Sequence, residues 1–253
     1  ADIIKATGST AEKFSSRLQR VHQLSGFADP VYVEAYVTVH DYDIVLKILV
    51  INRTDATLTN LAVELATIGD LKLVERPQTF TLGPHDTHTL TANIKVSSTE
   101  TGEIFGTLVF DSSSSAVEKT VINLNDIKID ILDYIKPATC TEAVFRSFWA
   151  DFEWENKVAV NTRMTNLQEF VLHIVKNTNM RCLTPIGELD SSCNFLAANL
   201  YAKSIFGEDA LVNVSVENRM DGSIRGHIRI RSKTQGVALS LGDKVTETMR
   251  GPK

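Results

Sequence analysis

The chain has 253 residues, 43% of them hydrophobic and 23% charged, with a net charge of −5 and a pI near 5.7. A chain of this length buries enough surface to fold without disulfides or structural metal, and its acidity excludes a general affinity for nucleic acid or anionic membrane, so any basic site must be local. Three cysteines, Cys140, Cys182 and Cys193, stand without CxxC spacing, which argues against a disulfide framework and fits reduced thiols of the cytosol.

The first ten residues lack a signal peptide's apolar run. They begin with Ala rather than Met, as expected of a fragment. Residues 10–25 place Phe14, Leu18 and Val21 at helical spacing, which predicts a short amphipathic helix closed by Gly26. From Val31 the period becomes two. Val31, Val33, Ala35, Val37 and Val39 are apolar, while Glu34, Thr38 and His40 are polar, the pattern of a half-buried strand. "DIVLKILVIN", "TLTNLAVELAT", "HTLTANIKVSS" and "GEIFGTLVFDS" follow, broken by the turn-forming "NRTDAT", "GPHD", "TETG" and "DSSSS". Strands at this spacing predict an antiparallel, immunoglobulin-like β-sandwich. "NDIKIDILDYIKP" reads as its last strand, stopped at Pro137, which lacks the N–H a ladder requires.

The second half mixes periods. Thr139 or Thr141 is placed to cap a helix running through 152, and Asn166 to cap "LQEFVLHIVK". "WENKVAVNTR", "NFLAANLYAKS", "ALVNVSVEN" and "SIRGHIRIRSK" read as strands, and "TQGVALSLGDK" as a short helix. This describes an α+β layer domain. The expected organisation is a linker with a short helix over 1–27, a β-sandwich over 28–136 and an α+β platform over 137–253.

Two features invite a functional reading. "FRSFWADFEWENK" holds both tryptophans. On a helix, Phe145, Phe148, Trp149 and Phe152 fall in one narrow arc, which reads first as a face packed on the sheet. Trp149 sits at the rim of that arc beside Arg146, the composition of a binding hot spot. Trp154 opens a strand and reads as structural. In "IRGHIRIRSK" the positions Arg225, His227, Arg229, Arg231 and Lys233 share one strand face. Cross-strand carboxylates would make that face an ordinary solvated one; left open, it suits an acidic peptide or a phospholipid headgroup.

Catalytic signatures are weak. No GxSxG, HExxH or GxGxxG occurs. "GVALSLGDK" has the wrong spacing for a phosphate loop and puts Asp243 where phosphate would lie. His85, Asp86 and His88 form a polar turn with no third strong ligand nearby. Glu153 and Glu155 flank Trp154 and read as solvated charges rather than a glycosidase pair. No cofactor, metal or catalytic residue is assigned. No apolar run approaches the roughly 18 residues of a membrane span.

Long strings carry a more specific signal. "PVYVEAYVTVHDYDIVL", "LAVELATIGDLKLVERP", "YIKPATCTEAVFRSFWADFEWENKV", "TNMRCLTP", "AANLYAKSIFGEDALVNVS" and "GHIRIRSKTQGVALSLGDK" resemble, in order, the C-terminal region of the coatomer beta-subunit family. The likeness covers roughly residues 20–245. It implies a non-enzymatic appendage of the COPI vesicle coat, similar to clathrin-adaptor appendages, with a sandwich joined to an α+β platform. It implies coat subunits and accessory proteins as partners, Golgi-to-ER and intra-Golgi transport as the process, and the cytosolic face of Golgi membrane and vesicles as the location. Adaptor platforms bind peptide motifs at a helix-borne Trp with an aromatic three residues earlier. Trp149 fits by position, whereas Arg146 stands where the aromatic would be, so the resemblance implies protein docking in a general form. Phe145, Arg146 and Trp149 are expected to form one docking patch, with Arg229 and Arg231 as an acidic-partner site. A peripheral membrane module using the basic face, or a hydrolase with its site between the domains, are the rival expectations.

Overall fold

A computed structural model describes residues 18, 20–40, 42–112, 119–185 and 193–250. The chain forms two compact units. One comprises Ala1–Ser97 and Gly102–Ile129; the other comprises Ser98–Thr101 and Asp130–Lys253.

The first unit contains β1 (Val21–Gln23), β2 (Val31–Val39), β3 (Asp43–Asn52), β4 (Leu58–Ile68), β5 (Leu71–Leu73), β6 (Phe80–Leu82), β7 (Thr87–Val96), β8 (Gly102–Ser112) and β9 (Lys119–Ile129). They make two antiparallel sheets, ordered β1-β2-β3-β7-β5 and β6-β4-β8-β9. The alternation read along β2 holds: Val31, Val33, Ala35 and Val37 are buried. Ile44, Leu46, Ile48 and Ile94 join them from the same sheet, and Leu61, Val63, Ile104, Leu108, Ile122 and Leu124 come from the other. Each of these valines, leucines and isoleucines contributes about 1.5–3 kcal/mol by leaving water, and together they form a β-sandwich core. Gly106 is required where β8 crosses β4, because a Cβ there would lie 2.1 Å from the carbonyl oxygen of Glu64.

Two expectations for this unit are corrected. The helix over 10–25 lies mostly outside the described residues, and its end is not helical. Val21–Gln23 instead pairs with β2, Val21 opposite Tyr36 and Gln23 opposite Glu34. The edge of β2 offers ladder partners, and burying Leu24 holds the segment there. The strand expected to reach Pro137 stops at Ile129. Asp130 then caps a helical turn, α1 (Ile131–Tyr134). Its carboxylate accepts from Leu132 N–H at 2.8 Å, and Asp133 accepts from Asp130 N–H at 2.9 Å. This reciprocal capping box satisfies donors that a strand would have left to its neighbours.

The second unit continues with β10 (Ile135–Pro137), α2 (Glu142–Asp151), β11 (Trp154–Ala159), α3 (Leu167–Asn177), β12 (Arg181–Cys182), β13 (Phe195–Ser204), β14 (Asp209–Asn218), β15 (Ile224–Ser232) and α4 (Gln235–Thr248). The antiparallel sheet runs β10-β13-β14-β15-β11, with β12 paired to β13. Thr141 caps α2 through Val144 N–H, and Asn166 caps α3 through Glu169 N–H at 3.0 Å. One sheet face, with Ala198, Leu200, Val212, Val214, Ile228 and Ile230, packs against Phe170, Val171 and Ile174 of α3 and Val237, Leu241 and Val245 of α4. At 14 residues α4 is longer than the short helix expected. The unit is an α+β platform whose other sheet face is left for α2 and for solvent.

Candidate protein-docking site

The second face of the platform sheet carries residues 195–203 of β13, 211–217 of β14 and 225–231 of β15 at alternate positions, the set opposite to the core. Helix α2 lies across one end of it. Phe145 and Phe152 are buried there with Tyr201 and Leu211. Burial, then the 2.6 Å hydrogen bond it donates to Asp209, pushes the Tyr201 phenol well above its ordinary range. Phe145 stacks on Trp149 with ring centres 5.7 Å apart, and Phe148 stacks on Phe152 at 5.2 Å. Trp149 is half-buried at the edge of this cluster, as its rim position on the arc predicted.

The basic stripe divides where α2 covers it. Arg231 lies over the Trp149 ring, 5.3 Å from its centre. Its Nε–H donates to Glu155 Oε2 at 2.8 Å and one of its terminal nitrogens to the same oxygen at 2.5 Å. The other terminal nitrogen donates to the Trp149 carbonyl. Glu155 stands directly opposite Arg231 on β11, so the pair is fixed by register. Arg231 is therefore internally neutralised and ties the C-terminal half of α2 to the sheet. Glu155, read as a solvated charge, is its partner. Lys233 sits 5.5 Å from the Phe152 ring centre.

Arg225, His227 and Arg229 are exposed. Arg229 stands between Asn213 of β14 and Lys157 of β11, and no ion pair engages it among the described residues. Beside it Asn213 donates to Asn199 Oδ1 at 2.9 Å, and Ser215 donates to Asn213 Oδ1 at 2.8 Å. Phe145, Arg146, Trp149, Asn199, Asn213 and Arg229 line one open groove of about 320 Å³. Four of the five residues singled out in the sequence meet here. Arg231 stands behind Trp149 rather than in the lining, and Phe145 is the buried floor. The two asparagines escaped notice, because only strand register brings residues 14 apart into one ladder.

Arg146 is exposed and pairs with Glu142 one turn earlier, a contact of small energetic weight. A groove with an indole wall, an amide ladder and two guanidinium groups at its lips can take an apolar or aromatic side chain flanked by carboxylates. Trp154 is 43% exposed on the edge strand β11, so the structural role expected of it is not what its surroundings provide. His85 contacts Asp55 at 2.8 Å and His88 stacks on Phe80. Their rings thus serve different neighbours, and no group of three His, Cys, Asp or Glu among the described residues could hold a metal ion. No helix among the described residues is long and apolar enough to cross a membrane.

Residues 118–245 match the family model described as "Coatomer beta subunit appendage platform", and residues 1–112 match "Coatomer beta C-terminal region". Coatomer subunit beta-2 of Oryza sativa subsp. japonica is 62% identical over 252 residues, covering 99% of this chain and 26% of that protein. Coatomer subunit beta of Rattus norvegicus is 57% identical over 252 residues, covering 96% of this chain and 26% of the relative. The Drosophila melanogaster subunit is 56% identical over 239 residues, with 93% and 24% covered. The chain spans about a quarter of the length of the curated relatives it matches.

Proposed function

The chain belongs to the coatomer beta family, and on that premise we propose that it works as a non-enzymatic appendage of the COPI vesicle coat, docking coat or accessory proteins in Golgi-to-ER and intra-Golgi transport. In this reading it lies on the cytosolic side of Golgi membrane and vesicles, held there by the assembled coat. The observation that carries it is the open groove at Trp149, with Arg146 and Arg229 at its lips and Arg231 fixed behind the indole. The partner segment supplies an apolar or aromatic anchor for the Trp149–Phe145 stack and carboxylates for the guanidinium groups at the lips, that of Arg229 and that of Arg146 in its exposed pair with Glu142. Nothing in this contact makes or breaks a bond, and no cofactor takes part.

The test substitutes Trp149→Ala and Arg229→Glu in the isolated chain and compares capture of coatomer subunits and accessory proteins with that of the parent. Both variants should fold normally and lose partners. Unchanged recruitment by two folded variants would overturn the assignment.

A further inference from the structure

A larger groove, of about 670 Å³, opens on the outer face of the four-stranded sheet in the first unit. Its floor is Ala62 and Ala66 of β4 with Phe105 and Thr107 of β8, and β9 bounds it at Asn123 and Asp126. Arg76, Pro77 and Thr79, in the crossover from β5 to β6, form the opposite wall. Neither the family resemblance nor the platform reading accounts for it.

Three features specify what fits. The first is an open strand edge. Strand β6 pairs with β4 only at Leu58 and Leu61. The crossover cannot extend that ladder at Pro77, which has no N–H to give. From Ala62 to Ala66 β4 is paired with β8 on one side, and among the described residues no backbone hydrogen bond joins its other side to the crossover that faces it across the groove, leaving about 13 Å of edge at 3.3 Å per residue. Peptide groups along such an edge are matched best by an added strand. The second feature is the floor. Ala62, Glu64 and Ala66 share the outward face, and the two alanines leave room for larger side chains. Phe105, opposite Ala66 and 37% exposed, supplies an apolar contact. The third is charge. Glu64 sits between the alanines, and Asp126 lies across the groove. Neither carboxylate is in an ion pair among the described residues, and Arg76 is the one cation in the lining. The groove therefore favours a basic occupant, the reverse of the groove at Trp149.

We propose that this face binds an extended, basic peptide segment of another protein by strand addition to β4. Side chains i and i+4 of that segment are apolar and lie beside Ala62 and Ala66, and side chain i+2 is Lys or Arg and meets Glu64, with Asp126 reinforcing the negative field. The period of two in an added strand puts all three on the groove side.

The probe is the capped pentapeptide Val-Thr-Lys-Thr-Val, titrated at millimolar concentration into the isotopically labelled 253-residue chain and followed by amide chemical shifts. Saturable shifts should appear in residues 62–66 and at Phe105 and Thr107. A peptide with Glu for Lys, and one with backbone N-methyl groups on the pairing edge, should each bind about tenfold more weakly or worse, a cost of about 1.4 kcal/mol. Ala66→Arg, at an exposed position, should abolish the shifts while the rest of the spectrum stays unchanged. The proposal fails if no saturable shift appears, or if the shifts map to the groove at Trp149. It fails equally if the Glu or N-methylated peptide binds as well, or if Ala66→Arg binds normally. Shifts that track protein concentration without peptide would assign the edge to a second copy of the chain and overturn it too.

Discussion

Arg229 and Arg231 point the same way from one strand and do different work. Arg231 is two-thirds or more shielded, gives hydrogen bonds to Glu155 and to the Trp149 carbonyl, and backs the indole. Hydrogen bonds to charged groups contribute about 1.5–3 kcal/mol. Arg231→Ala should therefore lower stability by about that amount in urea denaturation and loosen Trp149, weakening partner capture indirectly. Arg229→Ala should leave stability within about 0.5 kcal/mol, as at most exposed positions, and weaken capture directly. If Arg229→Ala unfolds the chain while Arg231→Ala is neutral, the division of roles is wrong. Arg231→Lys should not restore stability, since a lysine cannot reproduce the planar fork. The cysteines give a second residue-scale prediction. Burial, then the charge of Asp209, pushes the Cys140 thiol up, and burial pushes Cys182 up. Fewer thiolates at a given pH mean slower alkylation. Timed alkylation read by mass spectrometry near neutral pH should modify the exposed Cys193 first; faster labelling of Cys140 would contradict this packing.

At the scale of elements, the turn at 130 shows what pattern reading can and cannot reach. Ile127, Ile129 and Ile131 alternate as a strand should, and all three are buried. Apolar spacing cannot tell that Ile131 belongs to a new element. The signal lay in Asp130 and Asp133, three apart, which a capping reading would have caught. Asp130 also receives the ammonium of Lys244 at 3.0 Å from α4. Asp130→Ala should cost about 1 kcal/mol from the cap and more from that lost partner, read as a lower midpoint in thermal unfolding; no change would mean the cap is idle. Gly226 is another element-scale constraint. It sits at φ +148°, and a Cβ there would lie 2.1 Å from the Ser215 carbonyl oxygen across the β14–β15 ladder. Gly226→Ala should destabilise by on the order of 2 kcal/mol or more, and a neutral result would show that the two strands can part.

Across the whole chain, the parts legible in the sequence are those set by local period. The alternation of β2 and β15, the aromatic face of α2 and the caps at Thr141 and Asn166 follow from neighbouring residues alone. The parts that were not legible depend on register between distant segments. Nothing near Arg231 announces Glu155, 76 positions earlier, and nothing near Asn213 announces Asn199. The groove on the sandwich was hidden for the same reason: two alanines, a phenylalanine and an interrupted edge mean little until three strands are laid side by side. If both proposed dockings hold, a chain with a net charge of −5 takes acidic and basic segments at separate places.

On the reading proposed above, the open groove at Trp149 docks an acidic partner segment. The most direct measurement is the affinity of a purified partner for the parent chain and for Arg229→Glu, taken with the melting temperature of each and at two salt concentrations. Docking there calls for equal melting temperatures, a loss of about 2 kcal/mol or more in binding, as expected of a hot spot, and a parent affinity that falls as salt rises. Equal affinities for two equally folded proteins would contradict it.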